Sequence, residues 1–270
     1  MNHRRDPLPT DVDLLPELSA GYNATLEAGL QSIGLTLEAA AKQAIGDHVR
    51  LLLAWNDAIN LTAIRDQIAI AMEHVVDSLT AVPLLADRPE RAILDLGSGG
   101  GFPGLPLAIA LRAERVLLVE SVGKKARFLA AVVDALELRP RVGVAATRAE
   151  TLAGDPHHRG RWPVVTARAV GPLADLLELA APLSPSGGIL VAWKRRRDDG
   201  DRGDGGPTVG TPGEWDAAVR AAGTLGWAVP VAHRVNAPGL ADHVLVVVVK
   251  TAPTPPGFPR DPADRKRRPW

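Results

Sequence analysis

A chain of 270 residues, 46% of them hydrophobic, has the material for one large packed domain with appended segments, and wholesale disorder is excluded. Lys plus Arg and Asp plus Glu number 31 each, so bulk charge gives no reason to coat nucleic acid, although local patches can still bind it. The absence of cysteine removes disulfides, thiolate zinc sites, iron–sulfur clusters and cysteine nucleophiles, and no metal is expected.

Residues 1–30 mix charge and proline, lack the apolar stretch of a signal peptide, and read as a flexible arm or a loosely docked segment. Over 37–59 apolar residues recur at Ala41, Ile45, Val49, Leu52 and Leu53, the spacing of a helix with one buried face. Ile68, Met72, Val75, Val76, Leu79 and Val82 repeat that spacing, so 31–88 is expected to form a helical cap. No apolar run is expected to reach the roughly 20 residues of a membrane helix, and a cytoplasmic protein that does not enter membranes is the expectation.

The pattern changes at 89. Short β-branched runs at 92–96, 115–120, 141–146, 164–169 and 188–193 alternate with helical stretches such as 124–138 and 172–183. That alternation predicts an α/β, doubly wound, Rossmann-like sheet, mostly parallel and covered on both faces, over 89–250. The last runs, 227–235 and 243–250, are joined by a turn at Pro238-Gly239 too short for a crossover helix, which predicts an antiparallel C-terminal hairpin. Residues 195–213, rich in Gly, Asp and Arg, read as a flexible insertion. The tail 251–270 carries prolines from Pro253 to Pro269 and basic residues, and no regular helix or strand is expected in it.

The most informative segment is Asp95-Leu96-Gly97-Ser98-Gly99-Gly100-Gly101-Phe102-Pro103-Gly104, which follows the first strand of this series and leads into a helix. Glycines are needed where backbone turns tightly and approaches a ligand. Gly99, Gly101 and Gly104 fit G-x-G-x-x-G, which nicotinamide and flavin enzymes share. Three features favour S-adenosylmethionine: Asp95 two positions before Gly97, a pair of helices ahead of the glycine strand, and the closing hairpin. Asp95 can face a ligand amine or orient the loop. Glu120 ends the next strand, 19 residues beyond Gly101, where a carboxylate can accept from both ribose hydroxyls. A glycine turn serving packing alone is the plain alternative.

Taken in chain order, further short motifs resemble one family. They are Trp55-Asn56 with Asn60-Leu61-Thr62, Arg65-Asp66, His74-Val75-Val76-Asp77-Ser78, the stretch 95–107, Glu120-Ser121 with the helix at 124–129, Arg148-Ala149-Glu150, Arg168-Ala169 and Trp193-Lys194. Together they resemble the RsmG (GidB) methyltransferases, which modify guanine N7 in bacterial 16S rRNA. The resemblance runs over about 51–250, with an echo at 254–260 that Asp261-Pro262-Ala263-Asp264 interrupts. It implies a class I methyltransferase with S-adenosylmethionine as cofactor and 16S rRNA or the small ribosomal subunit as partner; a monomer is expected. Position by position, it implies that Gly97 and Phe102 line the cofactor pocket, Ala149 and Glu150 flank the adenine, and Arg168 lies beside the cofactor or the incoming guanine.

Guanine N7 has a lone pair and no proton, so such a reaction needs no general base; it needs N7 held about 3 Å from the methyl carbon, in line with the sulfur. A cation near O6 would hold the base, and Arg168 and Lys194, near strand carboxyl ends, are the candidates; a plain ion pair of Arg168 with Asp95 or Glu150 is the other reading. Phe102 and Trp193 are candidates to support an unstacked base, with Trp193 read first as core. Asn56 and Asn60 read as caps, and His74, Asp77 and Ser78 as a bonded network on one helical face. Clusters at 124–127, 194–197 and 265–268 are candidate phosphate contacts. The rivals are a methyltransferase acting on protein or a small molecule, a non-enzymatic RNA-binding factor, and a nicotinamide oxidoreductase.

Overall fold

The computed structural model describes residues 8–88, 92–196 and 209–270. Helix α2 (Ala39–Ile59) buries Ile45, Val49, Leu52, Trp55 and Ile59, the stripe that its spacing dictates. It ends where Asn60 turns left-handed (φ 53°). The Asn56 side chain then accepts from the amides of Leu61 (2.8 Å) and Thr62 (2.9 Å) and donates to Thr62 O (2.9 Å), folding the chain back. The next helical run begins at α3 (Gln67–Ile70), capped by Asp66, passes through a π-helical stretch at Ala71–Val76, and resumes as α4 (Asp77–Leu79) before α5 (Val82–Leu85).

One expectation fails in this cap. The stretch Gln67–Leu85 is long and apolar enough, by length and composition alone, to cross a membrane. Glu73, His74 and Asp77 interrupt its apolar run without lowering its mean hydropathy enough, and Ile70, Val75, Val76 and Leu79 lie fully buried in the protein core. The N-terminal segment is docked where it is described. Helix α1 (Ala20–Ser32) buries Tyr22, Leu26 and Leu30, a one-sided i, i+4, i+8 stripe hidden among polar neighbours. Ahead of it, Trp55 Nε1 donates to Pro9 O (2.6 Å) and Arg50 Nε to Pro16 O (3.0 Å).

The sheet has seven strands: β1 (Ala92–Leu96), β2 (Arg115–Val119), β3 (Val142–Ala145), β4 (Val164–Arg168), β5 (Ile189–Arg195), β6 (Val231–Arg234) and β7 (His243–Val249). Their order is β3-β2-β1-β4-β5-β7-β6, parallel from β3 to β5, with β7 antiparallel to both neighbours, as the short connection before it requires. Helices α6 (Gly104–Ala110) and α7 (Gly123–Ala135) pack with the cap on one face. Helices α8 (Ala149–Gly154), α9 (Leu173–Ala180) and α10 (Glu214–Leu225) cover the other. One apolar core runs from Tyr22 in the cap to Leu245 in β7.

Most of the expected insertion, 197–208, lies outside the described residues; its edges are ordered, with Arg196 bridging antiparallel to Val209. The tail corrects another expectation by forming α11 (Pro262–Arg267). Pro262 opens it, where a missing amide costs nothing, and Asp261 accepts from Ala263 N (2.8 Å). The tail is anchored by Arg260, whose Nη2 donates to the fully buried Glu178 Oε2 (2.6 Å), with Trp270 Nε1 on the same oxygen (2.8 Å).

Candidate active site

Outside the carboxyl ends of β1, β2, β4 and β5, facing the cap, lies a cavity of about 630 Å³. That is where an open parallel sheet presents ligand sites, since β1 and β4 flank the point at which strand order reverses. The glycine loop forms one wall. Gly97 (φ 71°) and Gly101 (φ 93°) adopt left-handed backbone, and a Cβ would sit 2.6 Å from Val170 Cγ2 at the first and 2.8 Å from His48 Nε2 at the second. A Cβ at Gly99 would meet open space, its nearest atom Gly97 O at 3.8 Å.

Glu120 fixes this wall. Its Oε2 accepts from Gly99 N (2.9 Å) and its Oε1 from Val122 N (2.7 Å), leaving the remaining lone pairs toward the cavity it lines. Asp95 lies behind this wall. It is fully buried beneath the loop, accepts from Thr166 Oγ1 of β4 (2.8 Å), and does not line the cavity. Burial pushes its carboxyl up to about 6, against the pull of the Thr166 hydrogen bond.

Phe102 is stacked between two histidines of the cap, with ring centroids 4.6 Å from His48 and 4.9 Å from His74, and the Arg168 guanidinium lies 5.4 Å from its centre. It is 95% buried, so it is a wall and not an open platform for a base. His48 Nε2 faces Gly100 O (2.7 Å), an acceptor, which makes Nε2 the protonated nitrogen. Burial holds His48 at about 4; burial and the Arg168 charge hold His74 at about 4. Both are neutral rings at neutral pH.

Arg168 pairs with neither Asp95 nor Glu150. Its Nη1 donates to Asp77 Oδ2 (3.1 Å) and Glu73 O (3.0 Å), and its Nη2 to His74 Nδ1 (3.2 Å). The π-helical register at Ala71–Val76 turns the Glu73 carbonyl toward it, a local irregularity of the kind found at functional sites. Asp77 is a hub: Oδ1 accepts from His243 Nδ1 (2.8 Å) and its backbone oxygen from Trp193 Nε1 (2.8 Å). Trp193 is 95% buried, as its core reading expects. Lys194 lines the cavity, but its Nζ is held by Glu214 Oε1 (2.6 Å) and Gly171 O (2.5 Å).

The sequence-predicted residues are thus only partly gathered. Gly97, Gly99, Phe102, Glu120, Arg168 and Lys194 line the cavity, whereas Gly101 and Asp95 support it from behind. Ala149 and Glu150 open α8 beyond the end of β3, outside that lining, and Glu150 is ion-paired with Arg265 of the tail. Sequence reasoning missed His48, Glu73, Glu214 and His243; each acts through a partner distant in sequence, and no local motif marks it. Of the basic clusters, Arg195 pairs with Asp242 (3.0 Å) and Arg267 with Asp264, whereas no ion pair engages Lys124, Lys125 or Arg127 among the described residues. Among those residues no group of His, Asp and Glu is arranged to hold a metal ion.

The family model GidB, described as rRNA small subunit methyltransferase G, matches residues 41–202. A protein named ribosomal RNA small subunit methyltransferase G from Roseiflexus castenholzii is 41% identical, over 88% of this chain and 95% of its own length. One of the same name from Sorangium cellulosum is 45% identical over 72% and 78%. Among solved structures, an O-methyltransferase from Bacillus cereus in complex with SAH superimposes with a TM-score of 0.55 at 18% identity, covering 82% of this chain and 95% of that one. This last likeness concerns the fold.

Proposed function

Because this chain belongs to the rRNA small subunit methyltransferase G family and is an S-adenosylmethionine-dependent rRNA methyltransferase, we propose that it methylates N7 of a guanine in 16S rRNA. The observation that carries the choice of atom is that every acid lining the cavity is already engaged. Glu120 holds two backbone amides, Asp77 holds Arg168 and His243, and Glu73 faces Arg195 at 3.7 Å. His48 and His74 are neutral and bonded. Acids spent in this way orient a nucleophile, and N7 carries no proton to remove.

The residues fit the cofactor. Gly99 leaves open space where a side chain would fill the cradle, and Glu120 has accepting lone pairs for ribose hydroxyls beside it. When bound, S-adenosylmethionine supplies a methyl group on a cationic sulfur. Gly97, Gly99 and Phe102 would form the wall against it, Glu120 would grip its sugar, and Gly101 and Asp95 would hold the loop from behind. Ala149 and Glu150 would flank its adenine. Arg168, locked by Asp77, would present a guanidinium to O6 of the incoming base. Lys194, held by Glu214, would keep the backbone at Gly171 in place and add positive potential beside it.

Incubation of the purified protein with small subunits from a strain lacking its gene tests this, with reductive cleavage at N7-methylguanine as readout. One new cleavage in 16S rRNA is expected. Methyl transfer to another atom, or to none, would overturn the reading.

A further inference from the structure

Asp77 holds two cavity-lining side chains at once, one on each carboxylate oxygen: Arg168 on Oδ2 and His243 on Oδ1. A carboxylate can only accept, so His243 Nδ1 carries a proton, and in the neutral ring Nε2 is the accepting nitrogen. No described residue hydrogen-bonds that nitrogen. Asp242 Oδ1 stands 3.7 Å away, beyond hydrogen-bond reach, and the other oxygen of that carboxylate accepts from Arg195 at 3.0 Å. The hub is anchored further by Trp193 Nε1 on the Asp77 carbonyl, so the ring has little freedom to turn. One buried acid therefore sets a donor, the Arg168 guanidinium, and an acceptor, His243 Nε2, on the same cavity wall.

We propose that His243 is a specificity-determining residue that accepts a hydrogen bond from N1–H of the target guanine while Arg168 donates to O6, with Asp77 positioning both. This rests on the guanine reading above. The O6 and N1–H groups are adjacent on the guanine ring, an acceptor beside a donor. Adenine presents the reverse, an amino donor at position 6 and a bare N1 acceptor, and so would face Arg168 with a donor and His243 with an acceptor. Mismatching both groups at once is how a site rejects a base of nearly identical shape, because the buried polar partners are left unpaired.

The test uses 5′-GMP, 5′-IMP and 5′-AMP as competitive inhibitors of methylation of small subunits by the full-length protein, with calorimetric binding of S-adenosylhomocysteine as a check on the cofactor half. Wild type should prefer GMP and IMP alike over AMP, since inosine keeps O6 and N1–H. His243→Met fills the volume without an accepting nitrogen and should cut that preference roughly five- to tenfold, the worth of one hydrogen bond. His243→Gln restores an acceptor and should recover part of it. A merely structural role would move cofactor affinity and leave the GMP-to-AMP ratio in place. If wild type discriminates and His243→Met keeps the full ratio, this proposal falls alone. If wild type inhibition by GMP and AMP is equal, the guanine reading falls and takes this proposal with it.

Discussion

The two walls of the cavity are built in opposite ways. The glycine-loop wall is backbone, shaped by left-handed glycines and tied by one carboxylate, Glu120, to two amides within the same pair of strand ends. The opposite wall is side chain: Thr62, His74 and Asp77 of the cap and Arg168, Trp193 and His243 of β4, β5 and β7 meet through Asp77 and His74. A backbone wall is sensitive to any added atom but indifferent to charge. A side-chain hub is sensitive to charge, because removing one ionic partner leaves the others buried and uncompensated.

The sharpest way to break that contrast is Asp77→Ala. It strands Arg168, 15% exposed in its side chain, without its carboxylate and frees His243. The expected cost is about 3 to 5 kcal/mol of unfolding free energy, read by urea denaturation, with methylation lost. Affinity for S-adenosylhomocysteine should change far less, since the glycine wall is untouched. Gly97→Ala is the converse. A non-glycine residue at φ 71° is strained, and its Cβ would meet Val170 at 2.6 Å, so the loop must shift. Cofactor affinity should fall by on the order of 100-fold in calorimetry, the scale at which small misplacements act, with a smaller loss of stability. Equal damage to both readouts in both variants would mean that the walls are one unit.

The same contrast explains what the chain disclosed before folding. The glycine loop, Glu120 and the strand–helix alternation are local, carried by spacing within a few tens of residues, and the parallel sheet with its closing hairpin follows from them. Arg168 was visible but its partner was not, because Asp77 lies 91 residues away on another layer. His243 lies 166 residues from Asp77, at the first position of an apolar strand, where nothing nearby marks it as polar machinery. The tail misled for a different reason: its prolines forbid long helices but permit one that starts at Pro262 and lasts six residues. Helix α1 was hidden because three large buried residues among small and polar ones give a weak amphipathic signal over its 13 positions.

The smallest expected effect concerns pH, and there the walls act in opposite directions. His48 and His74 on the cap side are held at about 4, below their ordinary 6.5, by burial. They are neutral when folded and protonate first when unfolded, so their contribution is complete above pH 6.5 and is lost as pH falls toward 4. Asp95, behind the glycine wall, is raised by burial to about 6 from 3.8, so its contribution is complete below pH 3.8 and is lost as pH rises through 6. Between pH 4 and 6 two proton equivalents favour the folded state with rising pH and one opposes it. Taken alone, these three groups add about 1.4 kcal/mol of stability per pH unit in that window, one net equivalent. Asp95→Asn keeps the shape and can still accept from Thr166 while removing the opposing titration, so its slope should exceed that of wild type by about 1.4 kcal/mol per pH unit. Unfolding titrations at half-unit steps from pH 4 to 6.5 would read this directly, and an unchanged slope in Asp95→Asn would mean that the buried carboxylate does not oppose the histidines.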